Sequence, residues 1–314
     1  ILNSPAWKVS KPLRIVNVIA WKLKPSLKHP ENQSWIPPKS GENVYELVKK
    51  DVSYESEMAD LSNRKIAILA HWAESEKLSA SVERTIDSLI EAKYSVILVS
   101  SCESVKQLSM KSSLKNQITV IRKPNIGYDF GSWSTAIQML PKVVDAEQVI
   151  IINDSLIGPF SNISEFINEL ENSPYDITGV TDSNQIRYHI QSFIMHFKNN
   201  SFQEKMIQSF WKEIHVQESK FDLVRTYEIG LSATAQAAKL YVGALYPWNL
   251  VGQYWENPSV DRWVRLLELG FPFVKREVAR ESTDAKKNTL IPKIEKHYSI
   301  DTDLEKEINE ALKA

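Results

Sequence analysis

Two polar turns in the middle of the chain follow apolar, strand-like runs and contain residues that can contact a charged ligand. The first turn is the segment 125–131, which contains Asn125, Gly127 and Asp129. Glycine lets the backbone approach a ligand closely, and a carboxylate can accept hydrogen bonds from ribose hydroxyls or a base. The glycine spacing differs from the dinucleotide-binding motif, so a structural turn between a strand and a helix is the competing interpretation.

The second turn is Asn153-Asp154-Ser155, which directly follows the apolar run 149–152. An acid after a buried strand lies at the carboxyl edge of an α/β sheet, where such sheets bind ligands. The carboxylate of Asp154 could hold a divalent cation against a diphosphate, because hard cations prefer oxygen ligands. A side chain that caps the following turn is an equally good interpretation.

Two further groups of residues could take part in acid–base chemistry. His189 and Gln191 share one face of a strand-like run, so they could together contact a substrate hydroxyl. We expect Glu228 to open a helix, where the helix dipole stabilises its ionised form, and a general base must be ionised. An acid that only stabilises the first helical turn is the alternative for Glu228. The chain has a single cysteine, Cys102, and no His/Cys spacing that predicts a zinc site.

The elements that must position these residues alternate along the chain. Strands are predicted at 65–70, 94–100, 118–122, 149–152 and 175–180. Between them lie segments with apolar residues at helical spacing, including one at 103–114. This alternation predicts an α/β fold with a mostly parallel sheet and helices on both faces. A strand-like run at 190–197 and an exposed or lightly docked helix at 301–314 complete the pattern.

The bulk composition excludes several classes of protein. The 314 residues carry a formal net charge of −1, which argues against nucleic-acid binding through a global basic field. Its one cysteine excludes an intramolecular disulfide framework and fits a reducing, cytoplasmic compartment. Apolar runs are all shorter than the roughly 20 residues that span a bilayer. The chain begins with an isoleucine, so we expect it to be a piece of a longer protein.

The first sixty residues differ from the rest, and we predict three parts: an extension at 1–60, a main domain at 61–285 and a helical tail at 286–314. Between residues 7 and 28, lysines and arginine alternate with tryptophan, isoleucine and valine, and no acid occurs. One interpretation is a peripheral contact with an anionic membrane surface. The other is a linker that packs on the main domain, because prolines prevent one long amphipathic helix.

Several segments together carry a resemblance to a known family. They read NIGYDFGSW, IINDSLIGPF, TGVTDS, YHIQSFIMHF and NPSVDRWVRLLELGFPFVKRE. In this order, from about 64 to 281, they resemble the rhamnan synthesis protein F family, bacterial glycosyltransferases of surface-polysaccharide assembly. The resemblance implies a GT-A-like, Rossmann-type fold and transfer of a sugar, typically rhamnose from a dTDP donor, to a growing glycan such as O-antigen or capsule.

A looser resemblance to inverting GT-A glycosyltransferases implies roles for individual residues. Asn125, Gly127 and Asp129 would meet the nucleotide. The turn at 153–155 matches the position of an aspartate-x-aspartate metal motif but contains one acid, so dependence on Mg²⁺ or Mn²⁺ stays open. Glu228 would be the catalytic base. The remaining candidates are Asp182 as a second choice of base, His71, Arg187 and His189 as donors to phosphate or acceptor, and Trp248, Trp255 and Trp263 as sugar-stacking faces.

The sequence thus predicts an inverting glycosyltransferase that uses a dTDP-, UDP- or GDP-linked sugar and an oligosaccharide or lipid-linked glycan acceptor. It would act in the cytoplasm, at the inner face of the bacterial membrane if the acceptor is lipid-linked. The segment 4–14 resembles a junction near the ends of other glycan-synthesis domains, which implies further glycosyltransferase domains in the same polypeptide. The alternatives are a non-catalytic glycan- or nucleotide-sugar-binding module and an enzyme of methyl or phosphoryl transfer.

Overall fold

The computed structural model describes residues 41–58, 60–62, 64–280 and 284–313. The predicted membrane-contact segment 7–28 lies outside the described residues, as does most of the predicted extension. In the described ranges, no helix is long and apolar enough to cross a membrane.

Nine of the described strands form one sheet, and two short strands pair separately. The strands are β1 Ser53–Ser56, β2 Lys65–His71, β3 Ser95–Ser100, β4 Thr119–Arg122, β5 Gln148–Asn153, β6 Leu156–Ile157, β7 Ile177–Ser183, β8 His189–Ile190, β9 Ile194–Phe197, β10 Val242–Tyr246 and β11 Val274–Lys275.

The sheet is mostly parallel at its centre. Its order is β1-β4-β3-β2-β5-β9-β7-β10, with β8 paired to β7. Strands β4, β3, β2 and β5 run parallel, as do β7 and β10. Strand β9 is antiparallel to both β5 and β7, and β1 is antiparallel to β4. The predicted α/β class with a mostly parallel sheet is therefore confirmed, and the carboxyl ends of β2 and β5 lie side by side.

Helices cover both faces of this sheet. They are α1 Val44–Val48, α2 Ala80–Glu91, α3 Ser112–Lys115, α4 Tyr128–Met139, α5 Ser164–Glu171, α6 Lys205–Lys212, α7 Lys220–Leu223, α8 Ile229–Ala237, α9 Trp248–Val251, α10 Pro258–Asp261, α11 Trp263–Glu268, α12 Arg276–Arg280, α13 Asp284–Glu295 and α14 Thr302–Ala311. Short 3₁₀ turns occupy Pro141–Asp145 and Ser201–Gln203, and a π-helical turn occupies Val224–Glu228.

Alternate residues of β2 show how the two faces are buried. Ile66 and Ile68 belong to one hydrophobic cluster, and Ala67 and Leu69 belong to another on the opposite face. Helix α4 contributes Trp133 to the first cluster, while α2 packs into the second. A strand buried on both faces explains why the predicted strands read as continuous apolar runs rather than as alternating patterns.

The helix predicted at 103–114 is wrong, because the only helical residues of that segment are 112–114, which belong to the four-residue helix α3. The guanidinium group of Arg122 donates hydrogen bonds to two backbone carbonyls of this segment, those of Ser104 at 2.5 Å and Lys106 at 3.0 Å, and to the carbonyl of Cys102 just before it at 3.3 Å. Those carbonyls point toward the Arg122 side chain on β4 rather than along a helix axis. The apolar spacing therefore does not produce a helix here.

The strand-like run at 190–197 is divided between β8 and β9, with a break at 191–193. Before the break the chain pairs with the end of β7, and after it the chain enters the sheet between β5 and β7. The preceding strand also runs further than predicted. It continues to Ser183, so Asp182 lies within β7 rather than in a turn after it.

Glu228 does not open a helix, contrary to the prediction. The helical path begins at α7, where the Ser219 side chain caps the N-terminus by accepting a hydrogen bond from the backbone N–H of Asp222. The π-helical turn then joins α7 to α8 without a break, and Glu228 has helical dihedral angles at that junction. Stabilisation of its charge by a helix N-terminus therefore does not apply.

The C-terminal helix α14 is firmly packed rather than exposed or lightly docked. Leu304 and Ile308 are buried in a third hydrophobic cluster with residues of α12 and α13. Glu307 of the same helix is also buried and pairs with Arg276. The proposed boundary between a main domain ending at 285 and a tail at 286–314 stays a prediction.

Candidate functional site

The two polar turns of the sequence meet at the carboxyl edge of the sheet. Asn153 is the last residue of β5, and Asp129 lies in the first turn of α4. The Asn153 amide donates a hydrogen bond of 2.7 Å from Nδ2 to Oδ2 of Asp129. Its other end, Oδ1, accepts from Ser155 Oγ at 2.5 Å. Asn153 therefore joins both turns into one polar surface beside the neighbouring end of β2.

Asp154 is held at this edge mainly through its backbone. Its N–H donates to the carbonyl of Ala70 at 3.1 Å, and its own carbonyl accepts from Nε of Arg276 at 2.9 Å. One carboxylate oxygen, Oδ2, accepts from the backbone N–H of Trp72 at 2.7 Å. Burial, and then the negative charge of Asp129, raise the pKa of Asp154 to about 7. A positive charge beside this group would favour its ionised form.

The described residues offer a divalent cation few protein ligands. Within those ranges, no three His, Cys, Asp or Glu side chains cluster so as to hold a metal ion. Asp154 is half-buried with one carboxylate oxygen bonded to the backbone of Trp72. Magnesium is commonly bound by one or two carboxylates together with substrate phosphates.

Glu228 reaches the same edge from the helical layer. Its Oε1 accepts from Oγ of Ser192 at 2.5 Å, and its Oε2 lies 3.6 Å from Nε2 of His189. The next residue, Phe193, accepts a 3.2 Å hydrogen bond from the backbone N–H of Asn153 through its carbonyl. The break between β8 and β9 thus places Glu228 beside the end of β5. The side chain of Glu228 is 15% exposed, so the carboxylate remains within reach of a ligand.

Lys275 completes this group and is not among the residues selected from the sequence. It lies in β11, paired with Leu156 of β6, and its Nζ is 4.8 Å from the centroid of the Phe193 ring. Burial lowers the pKa of Lys275, and the nearby carboxylate of Glu228 opposes that shift. The available signal was a lysine directly after an apolar run, within a segment that carried the family resemblance.

The turn before α4 is stabilised by close packing at Gly127 and by hydrogen bonds that Lys123 donates within the turn. Gly127 has φ +85°, and a Cβ there would lie 2.6 Å from Cγ2 of Val44. Lys123 is buried, and its ammonium group donates to the carbonyls of Pro124 and Ile126 at 2.6 and 2.7 Å. Burial lowers the pKa of Lys123 to about 8. Sequence reasoning missed Lys123. Asn125, by contrast, is exposed and open to a ligand.

Asp182 forms a separate environment at the carboxyl end of β7. Its Oδ1 accepts from the backbone N–H of Trp248 at 2.6 Å, and the side chain of Tyr188 also hydrogen-bonds to it. Burial raises the pKa of Asp182 to about 7. The residue is only 4% exposed, whereas Glu228 is half-buried, so Asp182 is the more enclosed of the two. The two candidate bases therefore differ in accessibility.

The remaining predicted donors have different surroundings. His71 ends β2, and its Nδ1 lies 3.0 Å from Oγ of Ser100. Burial and then the charge of Arg122 lower the pKa of His71 to about 4, so its imidazole is neutral at pH 7. Arg187 lies in the loop between β7 and β8, and its carbonyl is 2.8 Å from Nδ1 of His189. That contact fixes the ring of His189, whose other nitrogen faces Glu228.

Gln191 is used within the protein. Its Oε1 accepts from Oγ1 of Thr181 at 2.6 Å, and its Nε2 donates to Oδ1 of Asn257 at 3.0 Å. The structure therefore does not aim Gln191 and His189 at one shared ligand atom. Gln191 instead ties the sheet edge to the segment that follows α9.

That segment carries exposed aromatic rings next to Asp182. Tyr254 is 54% exposed and Trp255 is 68% exposed, and the ring of Trp248 meets that of Tyr254 edge-on with centroids 5.4 Å apart. The Gln185 side chain donates to the Trp255 carbonyl at 3.0 Å and so connects this group to the β7–β8 loop. Trp263, the third predicted sugar-stacking residue, packs instead against the third hydrophobic cluster.

Comparison with known proteins gives one family and more distant relatives. Residues 95–308 match the family model described as rhamnan synthesis protein F. The virulence protein VirA of Vibrio anguillarum is 25% identical over 255 residues, covering 70% of this chain and 81% of that protein.

Solved structures resemble this chain only weakly. A glycosyltransferase involved in the glycosylation of the major capsid of PBCV-1 aligns with TM-score 0.35 and 14% identity, over 71% of this chain and 98% of its own. A cytidylyltransferase from Leptospira borgpetersenii aligns with TM-score 0.31 and 12% identity, over 59% and 76% respectively. Both scores are below the level that establishes a shared fold. The family match, in contrast, spans well over half of the 314 residues. The chain belongs to the rhamnan synthesis protein F family.

Proposed function

We propose that this protein transfers a sugar from a nucleotide-activated donor to a hydroxyl group of a growing bacterial surface polysaccharide, with inversion at the anomeric carbon. One observation carries the proposal. In a member of this family, the carboxylate of Glu228 lies at the same carboxyl edge of the sheet as Asp129 and Asp154. A nucleotide-binding turn and an accessible carboxylate at the carboxyl edge of an α/β sheet are what such a reaction needs.

The donor side of the site consists of the turn at 125–131 and the end of β5. Asn125 and Asp129 would contact the nucleoside, and Asp154 would lie beside the diphosphate. A bound Mg²⁺ or Mn²⁺ would be held by Asp154 and the donor phosphates and would offset charge on the leaving group. The dTDP-, UDP- and GDP-linked sugars remain the candidate donors, and the family name favours a rhamnose-like deoxysugar.

Glu228 is the proposed base. The acceptor hydroxyl would give its proton to the Glu228 carboxylate as its oxygen attacks the anomeric carbon. The bond from that carbon to the diphosphate breaks at the same time, and the diphosphate leaves with the electron pair. Ser192 and His189 hold the carboxylate in one orientation, which supports a positioned base. Asp182 is the second candidate for this role.

The aromatic rings around Trp248, Tyr254 and Trp255 are the proposed acceptor surface. Exposed aromatic faces can cover the apolar face of a sugar ring while a polar group binds its hydroxyls. This surface borders Asp182 and the loop that carries Arg187. If the acceptor is lipid-linked, the protein would work at the inner face of the membrane and contact it through residues 7–28. Other glycosyltransferase domains of the same polypeptide would be its partners there.

The deciding experiment combines nucleotide binding with turnover. Thermal unfolding of the wild type would be followed with dTDP, UDP, GDP and their sugars, with and without Mn²⁺, because a bound ligand raises apparent stability. Release of the diphosphate from the stabilising donor would then be measured for the wild type and for Asp154→Asn. Stabilisation with Asp154-dependent release supports the proposal. Binding without turnover indicates a non-catalytic nucleotide-sugar-binding module, and absence of any nucleotide binding overturns the proposed function.

A further inference from the structure

The ammonium group of Lys275 lies between the two halves of the site without a hydrogen-bond acceptor. It is half-buried, and its Nζ lies 4.8 Å from the centroid of the Phe193 ring. Within the described residues, no carboxylate or carbonyl accepts a hydrogen bond from its three N–H donors. Its Nζ also keeps some contact with solvent. A half-buried cation with unused donors contributes little to the stability of the fold, because no hydrogen-bond partner offsets the free-energy cost of removing it from water.

The backbone fixes Lys275 next to the donor side of the site. Strand β11 pairs antiparallel with β6 so that Lys275 faces Leu156, two residues after Asp154. The following backbone N–H, that of Arg276, donates to the carbonyl of Ser155 at 2.8 Å. The β11–β6 pair thus holds the lysine against the turn that carries Asp154. The charges that act most on its ammonium group are those of Glu228, Glu277, Lys220 and Asp129.

Two neighbouring cations, Arg276 and Lys220, already have partners. Arg276 donates to the carbonyl of Asp154 and to Oγ of Ser79, and it pairs with Glu307. Lys220 has a 74% exposed side chain and lies 3.5 Å from a carboxylate oxygen of Glu277. Lys275 is therefore the cation of these three whose donors remain open to a ligand.

We propose that Lys275 binds the diphosphate of the nucleotide sugar and stabilises the negative charge that this group gains on leaving. The inference rests on the proposed function and adds the group that recognises the diphosphate. Asp129 and Asp154 would otherwise repel a diphosphate placed beside them. An ammonium group at the same edge offsets that repulsion with charge-assisted hydrogen bonds to the diphosphate. These bonds strengthen as negative charge develops on the diphosphate during its departure.

The test compares nucleoside diphosphates with the matching monophosphates. Titration calorimetry with dTDP and dTMP, and in parallel UDP with UMP and GDP with GMP, would be run on the wild type, Lys275→Met and Lys275→Arg. Methionine keeps the unbranched shape without charge, and arginine keeps the charge. Each titration is repeated in EDTA and in Mg²⁺, so that a contribution from a metal is separated from that of the lysine.

We expect Lys275→Met to weaken diphosphate binding roughly tenfold or more and to change monophosphate binding less than about twofold, while Lys275→Arg retains most of the preference. The matched control is Lys220→Met, which removes a nearby exposed charge and should leave the preference intact. An equal loss for mono- and diphosphates, or no loss, overturns the inference alone. A wild type that binds no nucleoside diphosphate overturns it together with the proposed function. Thermal unfolding of the free proteins verifies that each variant is folded.

Discussion

The hydroxyl group of Ser192 donates a 2.5 Å hydrogen bond to Oε1 of Glu228, in the break between β8 and β9. His189 lies in β8, before the break, and its Nε2 is 3.6 Å from Oε2 of the same carboxylate. The next carbonyl, of Phe193, accepts from Asn153 at the end of β5. A helix-borne carboxylate is therefore oriented by the sheet edge that is proposed to hold the donor. This coupling is what a base needs in order to face the anomeric carbon of a bound sugar nucleotide.

Glu228→Gln should abolish most sugar transfer without loss of donor binding. Glutamine keeps an oxygen that can accept from Ser192, but it cannot take a proton from the acceptor. We expect kcat to fall by roughly 10²- to 10⁴-fold, the usual range for removal of a general base, with little change in the Kd of the donor. Steady-state kinetics and donor titration measure the two effects.

Asp182→Asn is the matched variant for this prediction, because Asp182 is the other candidate base and asparagine can still accept from Trp248. Its kcat should stay within a few-fold of the wild type. The reverse pattern, in which Asp182→Asn loses transfer and Glu228→Gln does not, would move the base to Asp182.

Much of the fold, and the contact between the two donor-side turns, could be predicted from the sequence. The carboxyl ends of parallel strands share one edge, so polar residues after successive apolar runs had to converge there. Asp129 and Asn153 do so through a 2.7 Å hydrogen bond. Family membership supports a glycosyltransferase-like role in polysaccharide synthesis, which single turns could not establish.

Other features depend on long-range contacts that no local pattern encodes. Arg122 donates hydrogen bonds to the carbonyls of Ser104 and Lys106, in a segment whose apolar spacing predicted a helix. Glu228 lies in a π-helical turn, which has no recognised sequence signal, instead of at a helix start. Lys275 reaches the site on a two-residue strand, too short for periodicity to reveal. The aromatic acceptor surface likewise depends on how the segment after α9 folds back toward Asp182.

Asp154→Asn should change the dependence of stability on pH in a defined direction. An unfolded aspartate titrates near pH 4, whereas the folded-state pKa is raised to about 7. Between these values the folded protein holds a proton that the unfolded chain lacks, so this group lowers stability as pH rises, by at most ~1.4 kcal/mol per pH unit. Asparagine removes the effect while its Oδ1 can still accept from Trp72.

The gain in unfolding free energy of Asp154→Asn over the wild type should therefore grow from pH 4 to pH 7 and level off above it. Urea denaturation at several pH values measures this difference. The comparison with the wild type is essential, because His71, whose pKa is lowered to about 4, titrates with the opposite sign in both proteins. Parallel curves for the two proteins would contradict the prediction.

Trp255→Ala should weaken acceptor binding and leave the donor side unchanged. Trp255 is 68% exposed, so removal of its ring should change the free energy of unfolding by less than ~0.5 kcal/mol. Loss of one aromatic stacking face should raise the KM of the acceptor roughly three- to tenfold. Kinetics with a panel of methyl rhamnosides and glucosides, beside donor hydrolysis without acceptor, separates the two sides. Tyr241→Ala is the control, since Tyr241 is 64% exposed at the start of β10, away from its carboxyl end.

A similar rise in KM for Tyr241→Ala, or donor hydrolysis that falls together with acceptor use in Trp255→Ala, would argue against an acceptor surface at this position.

The buried pair between Arg276 and Glu307 links helix α14 to the Asp154 turn. Oε2 of Glu307 accepts from the backbone N–H of Ser81 at 2.9 Å, and its Oε1 binds the guanidinium group of Arg276. Nε of Arg276 donates to the carbonyl of Asp154 at 2.9 Å. The tail helix therefore helps to fix the backbone of the Asp154 turn, even though it lies beyond the predicted main domain.

Glu307→Gln should lower the free energy of unfolding by about 2 kcal/mol, somewhat less than the ~3–5 kcal/mol seen when a buried pair loses one partner, because glutamine keeps an acceptor. The arginine left without its counter-charge should also hold the Asp154 carbonyl less firmly, so donor affinity should fall. Glu310→Gln is the matched control, since Glu310 lies on the same helix in an exposed 3.9 Å pair with Lys306. Urea denaturation and donor titration measure both effects, and equal behaviour of the two variants would show that α14 does not support the site.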